Sequence, residues 1–250
     1  MNRILFETDE IRDGIATFGG ERAEHVMNVL HGEVGQVLKT GEVNGKIGTG
    51  EIIECSNVRM FESGNDGLVI KVRCNHQEES LRPWVDLILA PPRPRVMKRL
   101  LPQLATMGVG RIFLVGAKKV EKDFWGATLL KPENYRPLLI DGLMQAGTSI
   151  LPTLETRRNF RKFVREELDG LCPSAQRIIA HPYDGNRTIE QSNNRTILLA
   201  VGPDGGWTDE EVALLEEHGF ARYSLGSRIL RTDTATIALL AQLMKEVGAC

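Results

Sequence analysis

The chain has 250 residues, 42% hydrophobic and 26% charged, and its 31 Lys and Arg stand against 33 Asp and Glu for a formal net charge of −2. This is the composition of a folded globular protein, too apolar for disorder and without a run near the roughly 18 apolar residues that a membrane helix needs. The opening stretch, MNRILFETDEIRDG, turns acidic where a signal peptide would be apolar, so the cytoplasm is the expected compartment, and near-neutral charge means that any nucleic-acid partner must be met by a local basic patch.

Residues 1–75 read as short strands. GQVLKT, KIGTGEIIEC and GLVIKVRC are brief, and the last sets Leu68, Ile70, Val72 and Cys74 against Val69, Lys71 and Arg73, a period of two that gives one buried and one wet face. Gly41, Asn44-Gly45 and Gly64-Asn65-Asp66-Gly67 supply the turns. One helix is expected over 21–30, with Ala23, Val26, Met27 and Leu30 on its apolar face. A compact β-barrel is the natural reading of this segment. The cysteines at 55, 74, 172 and 250 lie far apart without a C-x-x-C pair, which fits reduced thiols better than disulfides or a zinc site, and no metal is expected.

After His76 strand and helix alternate, and the polar segment CNHQEESLRP marks the boundary. WVDLILA, RIFLVG, RIIAH and TILLAV are apolar runs of strand length, as in parallel strands buried on both faces. Amphipathic stretches at 96–107, 132–145 and 159–168 read as helices, the second opened by Pro132, whose missing N–H costs nothing in a first turn. An α/β domain with a largely parallel sheet follows.

The C-terminal quarter carries the chemistry. An apolar strand delivers the chain into Gly202-Pro203-Asp204-Gly205-Gly206, and Thr208 with Glu211 three residues on forms a capping box for a helix that Gly219 ends. A glycine-rich loop there lets backbone N–H groups approach a ligand at the sheet edge, although the same loop also serves as a plain tight turn. Neither a Walker loop nor a G-x-G-x-x-G fits. A strand to Leu225, a loop over Gly226 to Arg231 and a helix from Thr232 or Asp233 follow, bringing Arg228 and Arg231 toward the same edge. Basic residues gather at Arg93, Arg95, Lys98 and Arg99, and again at Arg157, Arg158, Arg161, Lys162 and Arg165, the second group reading as a solvated face.

GPDGGWTDEE followed by LGSRILRTDTA resembles the paired signature of the ribosomal RNA uridine-N3 methyltransferases of the RsmE type, within the SPOUT class of enzymes dependent on S-adenosyl-L-methionine (AdoMet). ERAEHVMNVLH, APPRPRVMKRLLPQLATMGVGRI and MQAGTSILP are similar to further segments of that family, so the likeness extends over nearly the whole chain. The resemblance implies a PUA-like β-barrel over 1–75 that helps place RNA, then over 76–250 a knotted α/β SPOUT methyltransferase domain. It implies AdoMet as cofactor, ribosomal RNA of the small subunit as partner and a homodimer, with no membrane. Carried over by position, Gly202, Pro203, Gly205 and Gly206 would enclose the methionine and ribose portion. Leu225, Gly226, Ile229 and Leu230 would hold the adenine, with Leu199, Thr234 and Ala235 completing the cofactor set. Arg93, Arg95, Lys98 and Arg228 would bind RNA and Arg231 would orient the target nucleotide.

The chemistry agrees. A sulfonium methyl is already activated, so the enzyme must bring the nucleophile in line at about 3 to 3.5 Å and exclude water. Uracil N3 must lose a proton, which asks for a base or for cations that stabilise the charge on the ring oxygens. Arg231 can do the second and not the first. The sequence offers no convincing base: His25 and His31 belong to the barrel segment and read as surface or core residues, and His181 is a weak candidate. Departures from the family pattern concentrate at Thr106, Met144 and Thr148, where two carboxylates and an arginine are usual, and at Arg95, where an acid is usual. They leave two alternatives open: a SPOUT methyltransferase with another RNA target, and a non-catalytic RNA-binding or ribosome-assembly protein that retains the fold.

Overall fold

The computed structural model describes residues 2–59, 66–182 and 196–246. The chain divides into two compact units, one of residues 1–81 with 143–151 and one of 82–142 with 152–250. The segment 143–151, which the sequence pattern places with the second half, therefore counts with the first unit.

In the first unit β1 (Ile4–Phe6), β2 (Ile11–Arg12), β3 (Ile15–Gly19), α1 (Gly20–Asn28), β4 (Val37–Glu42), β5 (Ile47–Arg59) and β6 (Asp66–Glu78) form one sheet in the order β1-β4-β5-β6-β3-β2. Only β1 with β4 is parallel; the other pairs are antiparallel. The period of two in β6 holds: Ile70 and Val72 are fully buried, Leu68 and Cys74 pack against the same cluster, and Arg73 faces water. Ala23 and Val26 of α1 join that core, with Met27 and Leu30 at its margin. The segment 143–151 is tied in by hydrogen bonds: Arg3 Nε donates to Gly147 O at 3.0 Å, and Ser149 Oγ to Gly45 O at 2.6 Å.

The second unit holds β7 (Val85–Leu89), α2 (Pro94–Thr106), β8 (Val109–Val115), α3 (Pro132–Ala146), β9 (Thr153–Arg157) and α4 (Phe160–Lys162). A π-helical turn (Phe163–Glu167), α5 (Leu168–Leu171), β10 (Gln176–Ala180), β11 (Ile197–Val201), α6 (Asp209–Glu217), β12 (Ala221–Tyr223) and α7 (Thr232–Glu246) complete it, with α3 counted in the first unit from Leu143 onward. Its six strands are all parallel, in the order β12-β10-β11-β7-β8-β9. Every residue of β7 and β11 is buried, because helices cover both faces. One face packs Ile88, Phe113, Ile179, Leu198 and Ala200 against Phe160, Phe163, Val212 and Leu215. The other carries α2 and α7, whose Met97, Leu101, Leu104, Leu239 and Leu243 are buried.

One of the departures from the family pattern acquires a physical reading here. Thr106 donates its hydroxyl to the carbonyl oxygens of Pro102 at 2.9 Å and Gly142 at 3.0 Å, so it joins α2 to α3 where a carboxylate would repel both. That contact needs a glycine, because a Cβ on Gly142 would lie 2.1 Å from Pro102 O. Arg93 pairs with Glu121 at 2.9 Å, which raises its hold on its proton. Cys55, Cys74 and Cys172 are free thiols, and Cys250 lies outside the described residues. No helix among the described residues is long and apolar enough to cross a membrane.

Candidate active site

A cavity of about 490 Å³ opens at the C-terminal ends of β10 and β11, a size typical of clefts that enclose a cofactor. Its walls come from the glycine loop after β11, the loop between β12 and α7, and the first turns of α7. The elements that position these loops follow from the sequence. Thr208 and Glu211 close the expected capping box, with Thr208 N donating to Glu211 Oε2 at 2.9 Å, and Gly219 ends α6 at φ 80°. In the glycine loop Gly206 sits at φ 71° and donates to Pro203 O at 2.7 Å, a turn that a side chain would strain.

The two loops are fastened to each other through one residue. Thr232, only 2% exposed, donates its hydroxyl to Gly202 O at 2.9 Å and its backbone N–H to Asp204 Oδ1 at 3.1 Å. Asp204 thereby caps α7 from another loop, where a carboxylate is favoured. Thr236 Oγ1 bonds back to Thr232 O at 2.7 Å, so the polar groups of the buried first turns are satisfied. Ser224 Oγ accepts from Gly226 N at 3.2 Å and shapes the second loop. The backbone N–H groups of Leu225, Ile229 and Leu230 have no partner among the described residues.

Of the residues expected to hold the cofactor, Gly202, Pro203, Gly205, Gly206, Leu225, Gly226, Ile229, Leu230 and Ala235 line the cavity, as does Arg228. Leu199 and Thr234 do not: Leu199 is fully buried inside β11, and Thr234 is an exposed residue of α7 outside the lining. Arg231 is also exposed and outside the lining, since it precedes α7 at the point where Thr232 turns inward. Arg93, Arg95 and Lys98 lie at the start of α2, exposed and outside the cavity lining, with Arg93 within reach of the charge of Asp204 on the glycine loop.

The structure adds Lys119, His181, Tyr223 and Trp207 to the lining. His181, a weak candidate in the sequence, contributes to the wall after β10, and Trp207 stacks on Phe160 with ring centroids 5.3 Å apart. Lys119 gives no sequence signal beyond a pair of lysines after a strand; its Nζ donates to Gly205 O at 2.7 Å. Two of the five cations of the second basic group are paired, Arg157 with Glu155 and Glu167 at 2.7 Å each and Arg161 with Glu210.

The profile of the RNA methyltransferase domain family matches residues 78–244. The chain belongs to this family of RNA methyltransferase domains. The ribosomal RNA small subunit methyltransferase E of Treponema pallidum (strain Nichols) is 29% identical over 260 residues, covering 100% of this chain and 92% of that protein. Ribosomal RNA small subunit methyltransferase E 1 of Borreliella burgdorferi is 28% identical, covering 95% of each. Among solved structures, a methyltransferase from Legionella pneumophila with its cofactor SAM bound aligns at a TM-score of 0.71 and 26% identity, over 98% of this chain and 97% of that one. This family membership and the α/β architecture agree with the expectation drawn from the C-terminal motifs.

Proposed function

We propose that the protein transfers a methyl group from AdoMet to N3 of a uridine in 16S ribosomal RNA of the small ribosomal subunit. The observation that carries the reading is that both C-terminal motifs, separated by some twenty residues of chain, line one cavity. Full-length relatives named for this activity support the RNA class, and the Legionella relative with bound SAM supports the cofactor.

The cavity residues fit such a cofactor. The turn at Gly206 brings bare backbone to the wall, Leu225, Ile229 and Leu230 offer apolar surface with N–H donors that no described residue engages, and Ala235 leaves room. In this reading Gly202, Pro203, Gly205 and Gly206 hold the methionine and ribose portion, and AdoMet supplies an electrophilic methyl on a positively charged sulfur. The chain orients the uracil, excludes water and stabilises the negative charge that develops as N3 loses its proton. Arg228 and Arg231 orient the target nucleotide or its phosphate from the loop before α7, and Arg93, Arg95 and Lys98 engage the RNA backbone. The reading also takes residues 1–75 as a PUA-like barrel that places RNA. It takes 76–250 as a knotted SPOUT domain that works as a homodimer in the cytoplasm.

Calorimetry should detect AdoMet binding, and small subunits from cells lacking the gene should gain one N3-methyluridine when incubated with the protein and AdoMet. Subunits that gain none would overturn the assignment. Arg231→Ala should abolish turnover while leaving AdoMet affinity largely intact; unchanged turnover removes the role given to Arg231. The engagement of Thr106 by backbone carbonyls in place of a carboxylate favours one second reading, a different RNA target. Modification of deproteinised tRNA but not of small subunits would select it.

A further inference from the structure

The reaction proposed above needs positive charge at the uracil ring, yet Arg231 lies outside the cavity lining. Lys119 lies inside it. Its placement is built from several independent contacts. The buried carboxylate of Glu211, 6% exposed, accepts the backbone N–H of Lys118 at 2.7 Å while it also closes the capping box of α6. This fixes the backbone that leads out of β8 immediately before Lys119. The lysine stem then lies against the glycine loop, since a Cβ on Gly205 would be 3.0 Å from Lys119 Cδ, and the ammonium is held on Gly205 O at 2.7 Å. An ammonium has three donors. One is used there, and no other partner for Lys119 exists among the described residues, so the others are available to a ligand.

Resting on that reading of the site, we propose that Lys119 is a catalytic residue that hydrogen-bonds a ring oxygen of the target uracil and takes up the negative charge formed when N3 is deprotonated. The N3–H bond breaks and its proton passes to solvent water. The electron pair left on N3 forms the N–CH3 bond as the S–CH3 bond of the donor breaks, both electrons staying on sulfur as a neutral thioether. The ammonium is a compact charge that can point into the cavity while remaining fixed to the loop, which suits a charge that appears only during reaction. The charged and titratable groups that line the cavity with it are Asp204 on the glycine loop, Asp209 on α6, Tyr223 on β12, Arg228 before α7 and His181 after β10.

The test compares the unsubstituted protein with Lys119→Met and Lys119→Arg on small subunits. Lys119→Met should lower kcat by about 100-fold, the scale of deleting one donor at a developing oxyanion. Its AdoMet dissociation constant by calorimetry and its melting temperature should stay unchanged. The rising limb of its rate against pH should move to higher pH, because without the cation the N3 proton is harder to remove, and Lys119→Arg should recover most of the rate. Unchanged kcat in Lys119→Met, or an unmoved pH limb, overturns the proposal. Weaker AdoMet binding with full kcat at saturation also overturns it, by assigning the ammonium to the donor. If the unsubstituted protein methylates no uridine, the parent reading falls and this one with it; methylation by the unsubstituted protein separates the two.

Discussion

The two ends of the parallel sheet leave different amounts of charge without a partner. At the N-terminal ends of β8 and β10 the cations are closed into partners. Arg111 donates to the 5%-exposed Asp86 at 2.6 Å, to Leu171 O at 3.0 Å and to Cys172 Sγ at 3.2 Å. Arg177 donates to Asp169, to His218 O at 2.7 Å and to Cys172 O at 3.1 Å. At the C-terminal ends pairing is partial: Arg93 and Arg157 hold carboxylates, whereas Arg95, Lys98, Arg228 and Arg231 make no ion pair among the described residues, and Lys119 rests on a carbonyl oxygen. Paired charge satisfies a buried neighbour and belongs to stability; charge without a partner keeps its interaction free energy for a ligand. A net charge of −2 is thus compatible with free cations at the working edge.

Substitutions at the two ends should have opposite consequences. Ala235→Phe fills the cavity from α7 and should weaken AdoMet binding by at least about 100-fold in calorimetry while the protein stays folded, a size set by steric exclusion from a preformed pocket. A change below about threefold would mean that the cavity is not the cofactor site. Arg111→Met, at the other end, should cost about 3 kcal/mol in denaturant unfolding, since Asp86 is left buried without its cation. AdoMet affinity measured on the folded variant should not change. The double variant Arg95→Gln with Lys98→Gln should leave AdoMet binding and stability intact. It should weaken small-subunit RNA binding at physiological salt and lower the slope of log affinity against log salt by about one or two, roughly one for each phosphate no longer neutralised. An unchanged slope assigns these cations to solvent.

The smallest effect is the pH dependence of the paired end. The hydrogen bond from Arg177, with His218 at 2.9 Å on the other oxygen, holds the Asp169 carboxyl below its usual range. A carboxyl depressed in the folded state contributes stability that is complete above about pH 4 and is lost as pH falls through the folded value. For an exposed carboxylate this is at most about 1 kcal/mol, and Asp169→Asn should remove it: its unfolding free energy should vary less between pH 6 and pH 3 than that of the unsubstituted protein.

Much of the α/β architecture is legible in the sequence because two-sided burial writes continuous apolar runs, as in β7 and β11, and because capping leaves Thr208, Glu211 and Gly219 at fixed offsets. Other elements leave no such trace. Ile4–Phe6 is a three-residue strand whose partner, β4, lies more than thirty residues away, and no period can be read from three residues. Thr153–Arg157 is an edge strand with one covered side, so its polar sequence looks like a loop. The pocket residues that the motifs reveal sit on the loops that define it, whereas Lys119 arrives from a distant strand and is recognisable only once β8 is placed in space. Arg231 shows the opposite case: adjacency in sequence to Leu230 does not put it among the residues that line the cavity, because Thr232 turns inward beside it.

The paired bonds of Thr232 make the two ligand loops one opening unit. Freeing Gly202–Asp204 from the rest breaks the same two bonds that start α7, so neither loop can fluctuate without uncapping the helix. Amide hydrogens along the glycine loop and the first turn of α7 should therefore exchange with solvent at a common rate, and a ligand that orders either loop draws on the rigidity of both.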